Sequence, residues 1–374
     1  MSNEEAYFNH AYGYLPSDTT GYSLSETIVP SYEFVDDLYE NSCSYEESPL
    51  LNIFISVFYY LIFVIGSFGN IFVILIMVFK EKRRRRLVDT FVINLAIADL
   101  IFVFSLPLWA ISAGNNYQWT FGNELCKISS YIIAVNRYSS IFFLTCMSID
   151  RYLAIVKLLD FVHIRTQDYA MKISVVVWVT SMLLAIPSAY FKKLVHCNET
   201  YCKDDLTSRF NQGFSLIAIC LTFALPVVVI LFCYCSILNR LRGHYDHSKN
   251  SLQRRENTLK IIFAIVFGFI LSWMPFNIFK AITLCLQFSD VGWPIASYGL
   301  ATASCLAFIN SCMNPIIYAF LDRNFRLRAR RLFSCIFGSI RKRGNSFGSV
   351  SMVTDSSTIA VTTKFKSFAA NGTM

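Results

Sequence analysis

Five ionisable side chains stand within or at the ends of stretches that are otherwise almost wholly apolar. Asp99 sits in Asn94-Leu95-Ala96-Ile97-Ala98-Asp99-Leu100, and Arg137 in Ala134-Val135-Asn136-Arg137-Tyr138. Asp150 and Arg151 close that second stretch, and Lys280 lies near the end of a later one. A charge in hydrocarbon is costly and persists where it pairs, lines a cavity or works as a switch. Asp99 is therefore a buried carboxylate in want of hydrogen bonds or a hard cation. Asp150 and Arg151 are adjacent charges of opposite sign at the inner end of their stretch. Arg137 lies one residue after Asn136 and one helical turn below Ile133, near the floor of an outward-facing cavity. Its guanidinium wants an anion, and a ligand carboxylate such as a peptide C-terminus fits; an internal pair or a hydrated cavity wall is the alternative. Nothing resembles a catalytic constellation, so no enzymatic activity is expected.

These groups must be held by membrane-crossing elements. Of the 374 residues only 16% are charged, against ~25% in soluble domains, while 55% are apolar and the mean hydropathy is +0.46. That excludes a disordered chain, a collagen-like repeat and a cytosolic enzyme. The uncharged run Leu51 to Phe79 would span about 43 Å as a helix, more than a ~30 Å hydrocarbon core requires. Further apolar stretches run from about Thr90 to Ala113, Ile128 to Ile149, Ile173 to Tyr190, Phe210 to Leu238, Ile261 to Phe279 and Val291 to Leu321. The fold class is thus an all-α membrane protein, a seven-transmembrane helix bundle. Prolines 107, 187, 226, 275 and 315 fall in five of these stretches, where each deletes a backbone donor and is expected to kink its helix.

Charge is segregated along the chain. Residues 1–79 hold ten acids and no Lys or Arg, whereas Lys80, Lys82 and Arg83 to Arg86 follow the first stretch directly. Arg240, Arg242, Arg254, Arg255 and Lys260 lie between the fifth and sixth. Basic loops face the cytoplasm, so the N-terminus is expected outside and the C-terminus inside a plasma-membrane, multi-pass protein. These runs flank the membrane, so no nucleic acid partner is expected. No cleaved signal peptide is evident, and the first span is expected to act as its own signal anchor. Four regions follow: an extracellular acidic, Tyr-rich arm over 1–49, the bundle over 50–321, a short amphipathic helix over 322–337, and a flexible Ser/Thr-rich cytoplasmic tail over 338–374. The amphipathic helix alternates Arg with apolar residues and suits the lipid head groups of the inner leaflet. Cys335 at its end is a palmitoylation candidate, with an unmodified thiol the alternative. Asn198-Glu199-Thr200 is a glycosylation sequon on an outer loop, whereas Asn371-Gly372-Thr373 has the pattern on the inner side.

In order along the chain stand Gly69-Asn70, Leu95-Ala96-Ile97-Ala98-Asp99, Cys126, Asp150-Arg151-Tyr152, Trp178, Pro226 with Tyr234, Trp273-Met274-Pro275 and Asn314-Pro315-Ile316-Ile317-Tyr318. Each lies in its proper span, and the set resembles the rhodopsin-like G-protein coupled receptors over roughly residues 50–335. Ser105-Leu106-Pro107-Leu108-Trp109, Trp119-Thr120-Phe121-Gly122 and Asp150-Arg151-Tyr152-Leu153-Ala154-Ile155-Val156 resemble the chemokine and peptide receptor branch.

The resemblance implies a receptor for an extracellular peptide or chemokine-like ligand, with a heterotrimeric G protein, of the inhibitory subtype, as its inner partner. Arrestin would meet the phosphorylated tail. The implied ligand cavity holds Arg137, Trp109, Ile133, Lys280 and Ser304. Ile133 stands where amine receptors carry an Asp, which disfavours an amine, and the seventh span has no Lys for retinal. No cofactor is implied beyond an allosteric sodium ion at Asp99, Asn136, Ser140, Trp273, Asn310 and Ser311; a water-filled polar network is the alternative. The implied switch comprises Asp150, Arg151, Tyr152, Tyr234 and Asn314-Pro315 with Tyr318, relayed by the packed trio Pro226, Ile141 and Phe269. Of twelve cysteines, Cys43, Cys126, Cys197, Cys202 and Cys285 face outside in this topology, and the other seven read as small buried hydrophobes. The resemblance pairs Cys126 with Cys202 and Cys43 with Cys285, while Cys197 competes with Cys202. Tyr32, Tyr39 and Tyr45 among acids resemble sulfation sites, and the arm's charge suits a cationic ligand. A chemokine scavenger without G-protein coupling is the rival reading, against which Asp150-Arg151-Tyr152 stands unaltered. A transporter is disfavoured because no internal repeat is visible.

Overall fold

The computed structural model describes residues 49–78, 87–157, 166–196, 198–205, 209–242, 249–286, 293–323 and 325–334. The helices, in chain order, are α1 (Pro49–Val78), α2 (Leu87–Val103), α3 (Leu106–Gly114), α4 (Gly122–Ile155), α5 (Gln167–Tyr190), α6 (Arg209–Ile219), α7 (Leu225–Arg242), α8 (Lys249–Leu286) and α9 (Trp293–Leu321). A hairpin of β1 (Lys192–His196) and β2 (Thr200–Asp204) lies between α5 and α6. Among the described residues seven spans are long and apolar enough to cross a membrane, α2 with α3 making the second and α6 with α7 the fifth. The chain is a seven-span helical membrane protein, and residues 325–334 continue as a helix beyond the seventh span.

The outward faces carry large apolar side chains, such as Val175, Val176, Val179 and Leu183 on α5 and Val228, Leu231 and Phe232 on α7. In water such a belt would be a liability, whereas in lipid it is the solvent-facing surface. The polar residues turn inward. α4 runs through the middle and packs on α2, α5, α7 and α8, while α9 joins α8 to α1. The expectation of buried cysteines fails at three positions: Cys220 and Cys235 are exposed and Cys146 is half-buried, while Cys233, Cys305 and Cys312 are buried. A thiol is weakly polar and is tolerated against lipid as well as inside.

The prolines act in different ways. Pro107 starts α3 and separates it from α2, so it breaks the second span rather than bending it; the Ser105 hydroxyl caps the end by donating to the Phe102 carbonyl at 2.7 Å. Pro187 falls in the last turn of α5, where little helix remains to kink. Pro226 follows a π-helical turn, Cys220–Ala224, that widens the fifth span. Pro315 lies inside α9 and cannot donate to the carbonyl of Ser311 four residues earlier. Asn70 of α1 donates to that carbonyl at 2.8 Å and to the Gly66 carbonyl at 3.0 Å. Gly69 permits the approach, since a Cβ there would lie 2.8 Å from the Pro315 ring.

Two outcomes test this frame. Gly69→Ala sets a methyl against a rigid ring and should cost ~1–3 kcal/mol, read as a lower unfolding temperature of the purified chain; no change would mean that α1 and α9 are not in close contact. Cys126 and Cys202 are disulfide-bonded, and losing a bridge of this kind costs ~2–5 kcal/mol. Cys126→Ala, Cys202→Ala and the double variant should therefore lower surface expression equally. A damaging Cys197→Ala with a silent Cys202→Ala would reassign the bridge.

Candidate functional site

The polar residues of the bundle form four levels. At the outer level the hairpin lies across the mouth. Its register sets Lys192 opposite Asp204 and Leu194 opposite Cys202, and the Trp119 amide donates to the Thr200 carbonyl at 2.7 Å. Asp204 accepts from the Lys192 ammonium at 2.9 Å and from the Lys280 ammonium of α8 at 2.7 Å. Partial burial works against charge on Asp204, but the two ammonium groups outweigh it and hold its carboxyl below the usual carboxylate range. The Lys192 ammonium lies 5.9 Å from the centre of the Trp109 ring, which packs on Trp119 at 4.9 Å. The buried indole nitrogen of Trp109 has no hydrogen-bond partner.

At the next level Arg137 projects from α4 into an aromatic box. Its guanidinium carbon lies 4.8 Å from the Tyr138 ring centre, 5.5 Å from that of Phe276 and 5.9 Å from that of Trp273. One Nη donates to the Tyr138 hydroxyl at 2.8 Å, and the buried Nε has no partner among the described residues. Among the described residues no carboxylate pairs with Arg137. Ring faces attract a cation but leave N–H donors unspent, so the box can take an anion. Ile133 packs half-buried against the core one turn above, while the Ser304 hydroxyl donates to the Leu300 carbonyl at 2.8 Å.

Below it, Asp99 is fully buried and accepts from Asn136 Nδ2 at 3.1 Å and Asn314 Nδ2 at 2.8 Å. Ser140 Oγ, Asn310 Nδ2 and Trp273 Nε1 are also buried, without hydrogen-bond partners among the described residues. Ser311 lies close enough to bond the same carboxylate. Ile141 and Phe269 share the main apolar core, and Phe269 stacks 6.1 Å from Trp273. Pro226 is buried on α7. From the Arg137 box to Phe269 the packing is continuous.

At the inner level Arg151 donates through Nε to Asp150 at 3.0 Å, and its Nη2 joins the same oxygen. Tyr152 faces Phe232 of α7 at 5.9 Å. Tyr234 is buried beside Ser148 and Arg151 with its ring against Phe263 at 5.6 Å. Tyr318 packs on Phe325 of the helix beyond α9 at 6.0 Å.

The structure thus assembles Asp99 with Asn136, and Asp150 with Arg151, as the resemblance implies, adds Asn314 to Asp99, and sets Lys280 on the rim against Asp204. Tyr138, Phe276, Lys192 and Asp204 were not anticipated. Phe276 offered a signal, one turn past Trp273 on the same face, but Asp204 offered none, because its partners come from a strand and a distant helix. Asn198 is exposed between the strands, and Cys285 is an exposed free thiol near the end of α8. Its expected partner Cys43, together with Cys197, Cys335, Tyr32, Tyr39 and Tyr45, lies outside the described residues.

Comparison with known proteins bears on the whole bundle. Residues 69–318 match the family described as 7 transmembrane receptor (rhodopsin family). Apelin receptor A of Danio rerio is 38% identical over 315 residues, covering 79% of this chain and 86% of its own length. G-protein coupled receptor 15 of Mus musculus is 34% identical over 309 residues, covering 82% and 84%. The apelin receptor of Xenopus tropicalis is 36% identical over 322 residues, covering 81% and 88%. With seven spans, an inward polar axis and a match across most of its length, the chain belongs to the rhodopsin family of seven-transmembrane receptors, a multi-pass membrane receptor and not an enzyme.

Proposed function

We propose that this receptor binds an extracellular peptide or chemokine-like protein and promotes nucleotide exchange on a heterotrimeric G protein of the inhibitory subtype. The observation that carries the reading is the inner pair, Asp150 on Arg151, which is intact and next to Tyr234. A pair of adjacent residues that occupies a guanidinium near a helix end is a natural switch, since parting it frees the Nε and Nη2 donors for another partner. Relatives named apelin receptor support a peptide ligand. The scavenger reading remains the rival, and nucleotide exchange separates the two.

Orientation follows from chemistry at the outer level. Disulfides persist in oxidising compartments, so the end of the bundle carrying Cys126 and Cys202 faces outside. Asn52, near the start of α1, donates to Asn116 at 3.1 Å in the loop that meets β2. The N-terminal end of α1 is therefore on the same side, in accord with the basic loops inside and with a plasma-membrane location. The acidic arm, with Tyr32, Tyr39 and Tyr45 as sulfation sites, would then be extracellular, where its charge suits a cationic ligand. Asn198 would carry glycan. The residues around Asp99 suit an allosteric sodium ion: carboxylate and hydroxyl oxygens are hard donors, and Ser140 Oγ lacks another partner. Inside, the Arg-rich helix and Cys335 would rest on lipid, and the tail would recruit arrestin once phosphorylated.

Two measurements test this reading. In lipid nanodiscs with an inhibitory heterotrimer, Asp150→Asn should raise ligand-independent nucleotide exchange several-fold at equal receptor amount. Unchanged exchange would remove the resting pair, and absent exchange in every variant, with any agonist from a peptide and chemokine screen, would favour the scavenger. For such an agonist, Arg137→Gln should reduce potency by about tenfold or more, because an unpaired ligand carboxylate left in the cavity costs ~2–5 kcal/mol. Full potency at normal surface expression would make Arg137 a structural residue.

A further inference from the structure

Two side-chain ties near the end of β2 fasten the outer hairpin to the bundle. Cys202 ties it covalently to Cys126 on α4, and two residues later Asp204 ties it by charge to Lys280 on α8. The carboxylate is divided: Oδ1 meets Lys192 and Oδ2 meets Lys280. Lys192 stands opposite Asp204 in the strand register, so that bond stays within the hairpin. Only the Lys280 bond crosses to another element. The helices joined here, α4 and α8, are the two that build the aromatic box lower down, with Arg137 from one and Trp273 and Phe276 from the other. Phe276 lies one helical turn below Lys280, so the rim contact and the box share one rigid segment of α8.

Counting charge decides what this contact accepts. Two ammonium groups share one carboxylate, while the neighbouring Lys193 and Asp205 neutralise each other at 3.0 Å. An incoming carboxylate that takes Lys280 leaves Asp204 on Lys192, so that Asp204, Lys192 and Lys280 each keep a partner of opposite charge. An incoming cation that takes Asp204 leaves two ammonium groups without a counterion, close together. Both partners can be reached from outside, since the side chains of Asp204 and Lys280 are 35% and 18% exposed.

We propose that Asp204 and Lys280 form a latch over the ligand cavity, opened by an acidic side chain of the peptide ligand that takes Lys280 while Asp204 stays on Lys192. Opening frees the outer end of α8 from the hairpin and so links the rim to the helix that carries Trp273. The inference rests on the reading of this chain as a peptide receptor, but its test needs no G protein.

The full-length receptor in nanodiscs is treated with sulfosuccinimidyl acetate, and acetylation of Lys280 is followed by mass spectrometry. Asp204→Asn should speed that reaction about fivefold, the scale of a partly exposed ion pair, whereas Lys193→Met should not. In Asp204→Asn, N-acetyl-tetraglutamate should slow acetylation of Lys280 and N-acetyl-tetralysine should not. Deuterium uptake over residues 259–270, at the inner end of α8, should rise in Asp204→Asn and in Lys280→Met alike. An unchanged Lys280 rate overturns the pair, protection by tetralysine overturns the acidic-group assignment, and unchanged uptake in both variants overturns the latch. A receptor that shows these responses without nucleotide exchange keeps the latch and loses the G-protein reading.

Discussion

Inside a bilayer a backbone group with no partner costs several kcal/mol, and five prolines in the spans put that cost at five places. The way four of them are met helps set the shape of the bundle. Pro107 is met by ending a helix, Pro187 by sitting where the helix ends, and Pro226 by a preceding π turn. Pro315 is met from outside its own helix, by Asn70 bonding the Ser311 carbonyl. That bond brings α1 against α9 so closely that only glycine fits at position 69. Asn314, the residue before this proline, then points to Asp99. A backbone defect in the seventh span is thus part of what builds the polar core.

The central helix α4 carries two guanidinium groups, Arg137 and Arg151, about 21 Å apart along its axis. They have opposite surroundings. Arg151 is matched by a carboxylate on the adjacent residue, whereas Arg137 meets three aromatic faces and one hydroxyl. The first is electrically closed and the second is open, which suits an inner switch at rest beneath an outer site that awaits an anion. Between them Trp273, Phe269 and Ile141 belong to one packed apolar core, so that a displacement at one level is felt at the next.

The outer hairpin supplies the third constraint. Its strands are short, and a two-stranded ribbon alone is marginal in water. Its stability comes from attachment: the disulfide, the Trp119 amide on the Thr200 carbonyl, and Asp204 on Lys280. The disulfide is covalent and stays closed during ligand binding, whereas the ion pair, with partial access to water, can open reversibly.

Much of this protein was legible in the sequence for one physical reason: hydrocarbon excludes polar residues so strongly that those remaining in the spans mark themselves. Seven apolar stretches, the family, and the partnership of Asp150 with Arg151 follow from residue type and order along the chain. The boundaries were less legible, since α4 extends from Gly122 to Ile155 and α8 from Lys249, well beyond the apolar runs; backbone hydrogen bonding continues past the membrane where hydropathy no longer reports it. The tertiary structure alone decided the aromatic box around Arg137, the bonding of Asn70 to a carbonyl 241 residues away, and the capture of Lys280 by Asp204. Each depends on side chains from different helices or strands meeting in space. Local chemistry can show that a group needs a partner, but only packing selects which of several distant candidates arrives within 3 Å.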